Sequence, residues 1–96
     1  MKMEINVSIN KKYELEKLYE TIAQIENAED CKALFDDLCT YKEIEAMAQR
    51  LHAASLLLDG ATYEQIIDQT GISSATLSRV SKCVKFGNGY KKQLNK

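Results

Sequence analysis

A run of small hydroxyl and methyl side chains followed by cations, Ser73-Ser74-Ala75-Thr76-Leu77-Ser78-Arg79 with Lys82 beyond it, carries the chemistry of this chain. Serine and threonine hydroxyls can donate to or accept from base edges, and an alanine methyl can meet a thymine methyl. A guanidinium or an ammonium can neutralise a phosphate. The partner that fits this set is double-stranded DNA. The candidate DNA-facing residues are Thr62, Ser73, Ser74, Ala75, Thr76, Ser78, Arg79 and Lys82.

Two short helices must position these groups, and residues 62–84 supply them. Thr62 is a suitable N-cap for a first helix whose Ile66 and Ile67 face inward. Gly71 can adopt the left-handed conformation that ends a helix after Thr70. Ile72 then anchors the turn, and Ser73 caps a second helix in which Leu77, Val80 and Val84 share the inward face. The opposite face presents Ser74, Ala75, Ser78 and Arg79 near the helix start, the part of a recognition helix that meets bases. Ile67 occupies an inward position that is often Ala in such motifs, which predicts an adjusted crossing. The bland alternative is a plain helical hairpin in a small bundle.

Charge distribution bears on that choice. The whole chain holds 13 Lys+Arg against 14 Asp+Glu, a net −1 that by itself points to no nucleic-acid partner. Residues 1–68, however, contain all the acids and total −7, whereas residues 69–96 contain six bases and no acid. Those bases are Arg79, Lys82, Lys85, Lys91, Lys92 and Lys96. A segregated basic end joined to the second helix is the electrostatic footprint of a phosphate-binding surface. A solvated basic tail is the alternative.

Ninety-six residues with 45% hydrophobic content suit one domain with a modest core. No apolar run approaches the roughly 20 residues needed to span a bilayer, and no signal peptide is evident, so a cytoplasmic protein without membrane contact is expected. Cys31, Cys39 and Cys83 lack paired spacing and are expected to be reduced, mostly buried thiols rather than metal ligands. No metal and no cofactor are expected.

The rest of the chain has helical spacing and no proline. Residues 1–10 are expected to form a loose arm. From about Lys11 to Glu26, Leu15, Leu18, Tyr19, Ile22 and Ile25 make one apolar stripe. Asn27 can cap a second helix with the apolar face Cys31, Leu34, Phe35 and Leu38. Thr40 and Glu43 match a capping box opening a long helix through about Asp59, stopped by Gly60. Ile44, Met47, Ala48, Leu51, Ala54, Leu57 and Leu58 form its wide apolar face. That face exceeds what one short neighbour can cover, so a homodimer sharing one core is expected, a monomeric bundle being the alternative. The organisation is thus a single domain over 1–96: an arm (1–10), a helical dimerisation core (11–60), a helix-turn-helix (61–86) and a basic C-terminal segment (87–96).

From about Leu38 to Val84 the chain resembles the Trp repressor superfamily, and within it the Trp-repressor-related YerC/YecD group. The residues that carry the resemblance are DDLCTYKEIEAMAQRL (Asp36 to Leu51), LLLDG (Leu56 to Gly60) and GISSATLSRVSKCV (Gly71 to Val84), with GNGY at Gly87 to Tyr90. The resemblance implies an all-α fold of about six helices in an intertwined homodimer, with operator binding through the helix that starts near Ser73. Arg50 and Arg79 match the two arginines that sandwich the indole ring in the tryptophan-sensing members, and Thr40 and Thr76 match two further pocket positions. Two positions depart from that pattern: Val80 stands where the sensing members have Gly, and Cys83 replaces a Ser that helps hold the ligand amino group. A branched side chain there is expected to fill the Thr40, Arg50, Thr76, Arg79, Cys83 pocket, so the regulator is expected not to answer to tryptophan.

An enzyme is not expected. The chain has one His, no phosphate loop and no nucleophile–base arrangement, and the adjacent Asp36 and Asp37 point apart on a helix. His52 is expected at a core edge or an interface. The remaining alternative is a helical adaptor whose basic end binds an acidic protein surface.

Overall fold

A computed structural model describes residues 7–95, which form six helices and, among the described residues, no strand. They are α1 (Val7–Ala23), α2 (Ala28–Leu38), α3 (Tyr41–Leu58), α4 (Tyr63–Thr70), α5 (Ser74–Phe86) and α6 (Gly89–Leu94). The chain divides at Cys39–Thr40 into two compact units, α1–α2 and α3–α6.

In the first unit, α1 begins four residues earlier than the apolar stripe suggested. Residues 7–10 are therefore helix rather than arm, because nothing between Val7 and Asn10 breaks a helix; residues 1–6 lie outside the described residues. The helix stops at Ala23, short of Glu26, since Asn27 is already extended (φ −148°, ψ 163°) to cap the next one. Asn27 Oδ1 accepts from the Asp30 backbone N at 2.7 Å, and Glu29 and Asp30 place negative charge on the first turn of α2. The Lys32–Asp36 ion pair closes one turn at 2.7 Å, a weak exposed contact. No described side chain of α1 or α2 is buried.

The second unit encloses a core. Thr40 opens α3 with the expected capping box: its hydroxyl accepts from Glu43 N at 3.1 Å, and the Glu43 carboxylate accepts from Thr40 N at 2.7 Å. That hydrogen bond holds the Glu43 carboxyl below its ordinary pKa. At the far end Gly60 turns left-handed (φ 93°), Ala61 N bonds to Leu56 O at 3.0 Å and Gly60 N to Leu57 O at 3.0 Å. These are the paired bonds of a Schellman stop.

The core comprises Ala53 and Ala54 of α3, Ile66 of α4, Ile72 in the turn, and Leu77 and Val80 of α5. Two alanines in succession keep the middle of α3 thin, so α4 and α5 both pack closely on it. Burying each larger aliphatic side chain contributes about 1.5–3 kcal/mol relative to exposure. The wide apolar face expected on α3 is therefore only partly used. Ala54 is buried and Leu57 packs beside it, but Ala48 and Leu51 remain exposed, and Ala53 takes a core place the spacing did not assign.

The thiols also differ from expectation. Cys31 and Cys39 are half-buried and Cys83 is exposed, because Cys83 lies on the flank of α5 beside the inward Leu77, Val80 and Val84. Among the described residues no group of His, Cys, Asp and Glu is arranged to hold a metal, and no helix is long and apolar enough to cross a membrane.

Candidate nucleic-acid interface

The turn that aims α5 is built from local chemistry at both helix ends. Thr62 and Gln65 form a second capping box, with the Thr62 hydroxyl accepting from Gln65 N at 3.2 Å and Gln65 Oε1 accepting from Thr62 N at 2.9 Å. At the other end Gly71 is left-handed (φ 74°, ψ 8°) and its N–H closes on Ile67 O at 2.9 Å. The Thr70 hydroxyl donates to Ile66 O at 2.7 Å and accepts from Ile72 N at 3.1 Å, which fixes the chain as it leaves the glycine. Ile72, only 2% exposed, then nails the turn into the core. Ser73 caps α5, accepting from Thr76 N at 3.1 Å and donating to Thr76 Oγ1 at 2.9 Å. A further tie runs from Gln49 Nε2 to Thr70 O at 3.0 Å, joining α3 to the end of α4.

This frame separates the two faces of α5. Leu77, Val80 and Ser81 are buried, whereas Ser74, Ala75, Ser78, Arg79 and Lys82 are exposed. Of the eight candidate DNA-facing residues, Thr62, Ser73 and Thr76 already use their hydroxyls in caps. Among the described residues, Ser74 and Ser78 hydroxyls and the Arg79 and Lys82 cations have no such commitment. Ser81 was not foreseen as buried, although its place four residues after Leu77 puts it on the inward face.

Beside this surface lies a half-open depression of about 480 Å³ between α3, α5 and α6. Arg50, Ala75, Thr76, Arg79, Val80, Cys83 and Tyr90 line it. Four of the five expected pocket residues thus converge: Arg50, Thr76, Arg79 and Cys83. Thr40 does not join them; it is the cap of α3. Nor does Val80 fill the space. Its side chain turns into the core and is 2% exposed, so it forms part of the wall and the depression stays open. Arg50 makes no ion pair with Glu43 or Glu45 among the described residues. Tyr90, unforeseen as a lining residue, belongs to the GNGY stretch, which was the one signal that could have drawn attention to it.

Comparison with known proteins agrees with this architecture. The sequence profile of the family described as Trp repressor protein matches residues 13–96. An uncharacterized protein, YerC of Bacillus subtilis, is 47% identical over 75 residues, which cover 78% of this chain and 72% of the relative. The crystal structure of a candidate Trp repressor from Staphylococcus aureus superimposes with a TM-score of 0.83 at 36% identity, covering 96% of this chain and 93% of that one. A TrpR-like protein from Eubacterium eligens gives 0.81 at 33% identity over 86% and 87% of the two chains. Six helices, a glycine-hinged helix pair and a profile match over most of the sequence lead to one assignment: the chain belongs to the Trp repressor family.

Proposed function

We propose that this protein is a sequence-specific DNA-binding transcriptional regulator, a repressor, that reads a major groove with the N-terminal half of α5 as a homodimer. The observation that carries the proposal is the division of α5: a buried Leu77–Val80 face against an exposed Ser74, Ala75, Ser78, Arg79, Lys82 face on an acid-free stretch of chain. The caps at Thr62 and Ser73 set the helix pair rigidly enough for a small-residue tip to enter a groove. Arg79 and Lys82 supply phosphate contacts. Family membership supports the same role.

Dimerisation is supported by the first unit. Leu15 is 53% exposed and Tyr19 63%, a stripe that water disfavours and that a second copy can cover. Two such units would address paired half-sites about one helical turn apart.

The test is fluorescence anisotropy on random-sequence duplex at two salt concentrations, followed by selection of bound duplexes from a random pool. Affinity at low salt that is lost at high salt, and a selected pseudo-palindrome, are the expected results. Arg79→Glu and Lys82→Glu should each weaken binding and leave helicity unchanged. Binding that survives both charge reversals would remove α5 as the interface.

The open depression favours a second reading, in which the regulator answers to a small anionic effector held by Arg50 and Arg79. Tryptophan is disfavoured there by Cys83, which replaces the Ser that helps hold the ligand amino group in the sensing members. Calorimetric titration with tryptophan should give no saturable heat; micromolar binding would reverse this view.

A further inference from the structure

The C-terminal helix α6 has six residues, too few to persist in water without tertiary support. Its Asn88 cap makes no side-chain hydrogen bond either. What holds α6 is contact with both α3 and α5. Tyr90 and Leu94, one turn apart, pack against the core cluster, and Tyr90 also forms the wall of the depression shared with Arg50 and Arg79. One tie brings α6 back over the end of α5: Lys91 Nζ donates to Lys85 O at 3.2 Å, just beyond the point where Gly87 N closes the last turn of α5 on Cys83 O at 2.9 Å. The corner itself requires glycine: a Cβ on residue 87 would lie 2.7 Å from the Cys83 carbonyl oxygen, a backbone atom that cannot step aside.

We propose that α6 is a latch on the recognition helix: Tyr90, seated between α3 and α5, holds α5 in its DNA-binding pose, and release of α6 loosens it. The inference rests on the DNA-binding reading above and assigns the C-terminal segment a positioning role in it. A latch stabilised by one aromatic ring, one leucine and one hydrogen bond opens far more readily than the core behind it. DNA affinity then scales with the latched fraction.

Hydrogen exchange and anisotropy on the full chain, with random-sequence duplex at low salt as the probe, test the idea. In Tyr90→Ala the amides of α5 should exchange more than tenfold faster while those of α4 keep their protection, and duplex affinity should fall about threefold as the latched fraction drops to about a third. Tyr90→Phe keeps the ring and should restore both properties. Gly87→Ala should act like Tyr90→Ala by a different route. Unchanged α5 exchange in both Tyr90→Ala and Gly87→Ala would overturn the latch. So would loss of protection throughout α3–α6, which would make Tyr90 an ordinary core residue, or failure of Tyr90→Phe to restore binding, which would put the phenol hydroxyl on DNA. Looser α5 in Tyr90→Ala, with neither protein binding duplex, would support the latch and sink the DNA reading instead.

Discussion

The two units of this chain spend their apolar residues differently. The α3–α6 unit buries Ala53, Ala54, Ile66, Ile72, Leu77 and Val80, whereas the described part of α1–α2 buries nothing. Both have helical apolar stripes and both have well-capped helices, so sequence pattern does not separate them. The difference is the number of helices that converge on one point. Three helices and a turn meet around Ala53–Ala54, while α1 and α2 leave Tyr13, Leu15, Tyr19 and Leu38 more than half exposed. The α3–α6 unit encloses an apolar core, and α1–α2 leaves a stripe that another apolar surface can cover.

The sharpest test of that contrast is a pair of substitutions. Leu77→Ala should cost about 2–5 kcal/mol in urea unfolding, as expected when a fully buried leucine leaves a cavity. Leu15→Asp should leave the α3–α6 core folded but reduce the solution mass from that of two chains to that of one, measured by sedimentation. A wild-type mass of one chain at micromolar concentration would mean the α1–α2 stripe is not covered by a second copy.

Next in size is the hinge. Gly71→Ala places a Cβ at φ 74° with open space around it, so the cost is backbone strain alone, about 1–2 kcal/mol. Stability should fall by that amount with the helix content unchanged; a neutral result would show that the turn relaxes without tilting α5.

Smaller effects belong to the caps, which exist in both units. Thr40→Ala should cost about 1 kcal/mol by leaving the Glu43 N–H without its partner. The Glu43 carboxyl is held below its ordinary value by the hydrogen bond from Thr40 N, so its ionised form is favoured in the folded chain. That contribution is complete above the unfolded glutamate pKa of about 4.3 and is lost as pH falls through the lower folded value. Acid titration of wild type and Glu43→Gln, followed by circular dichroism, should show the wild type losing its advantage only in that window. A difference that persisted unchanged below it would assign the effect to something other than the carboxylate.

Where each helix starts and stops was largely legible in the residues themselves. Thr40 with Glu43, Thr62, Ser73, Asn27, Gly60 and Gly71 all do in the folded chain what their chemistry predicts, because a cap is satisfied within three or four residues of itself. The N-terminus of α1 was misjudged because its first residues carry no cap signal and no breaker, so nothing local marks the boundary. The candidate interface was legible for the same reason as the caps: the inward face of α5 follows from Leu77 and Val80, and the outward face is what remains.

Sequence alone therefore determined α2 to α5, the hinge at Gly71 and the polarity of α5, since these depend on neighbours along the chain, whereas α6 (Gly89–Leu94) stands where only a basic C-terminal segment was expected. Tertiary structure decided which stripe of α3 is covered, that Val80 turns into the core and leaves the depression open, and that Tyr90 closes one side of it. Those outcomes depend on where α4, α5 and α6 cross α3. A helix with apolar residues around more than half its circumference offers several such crossings, and only packing chooses among them.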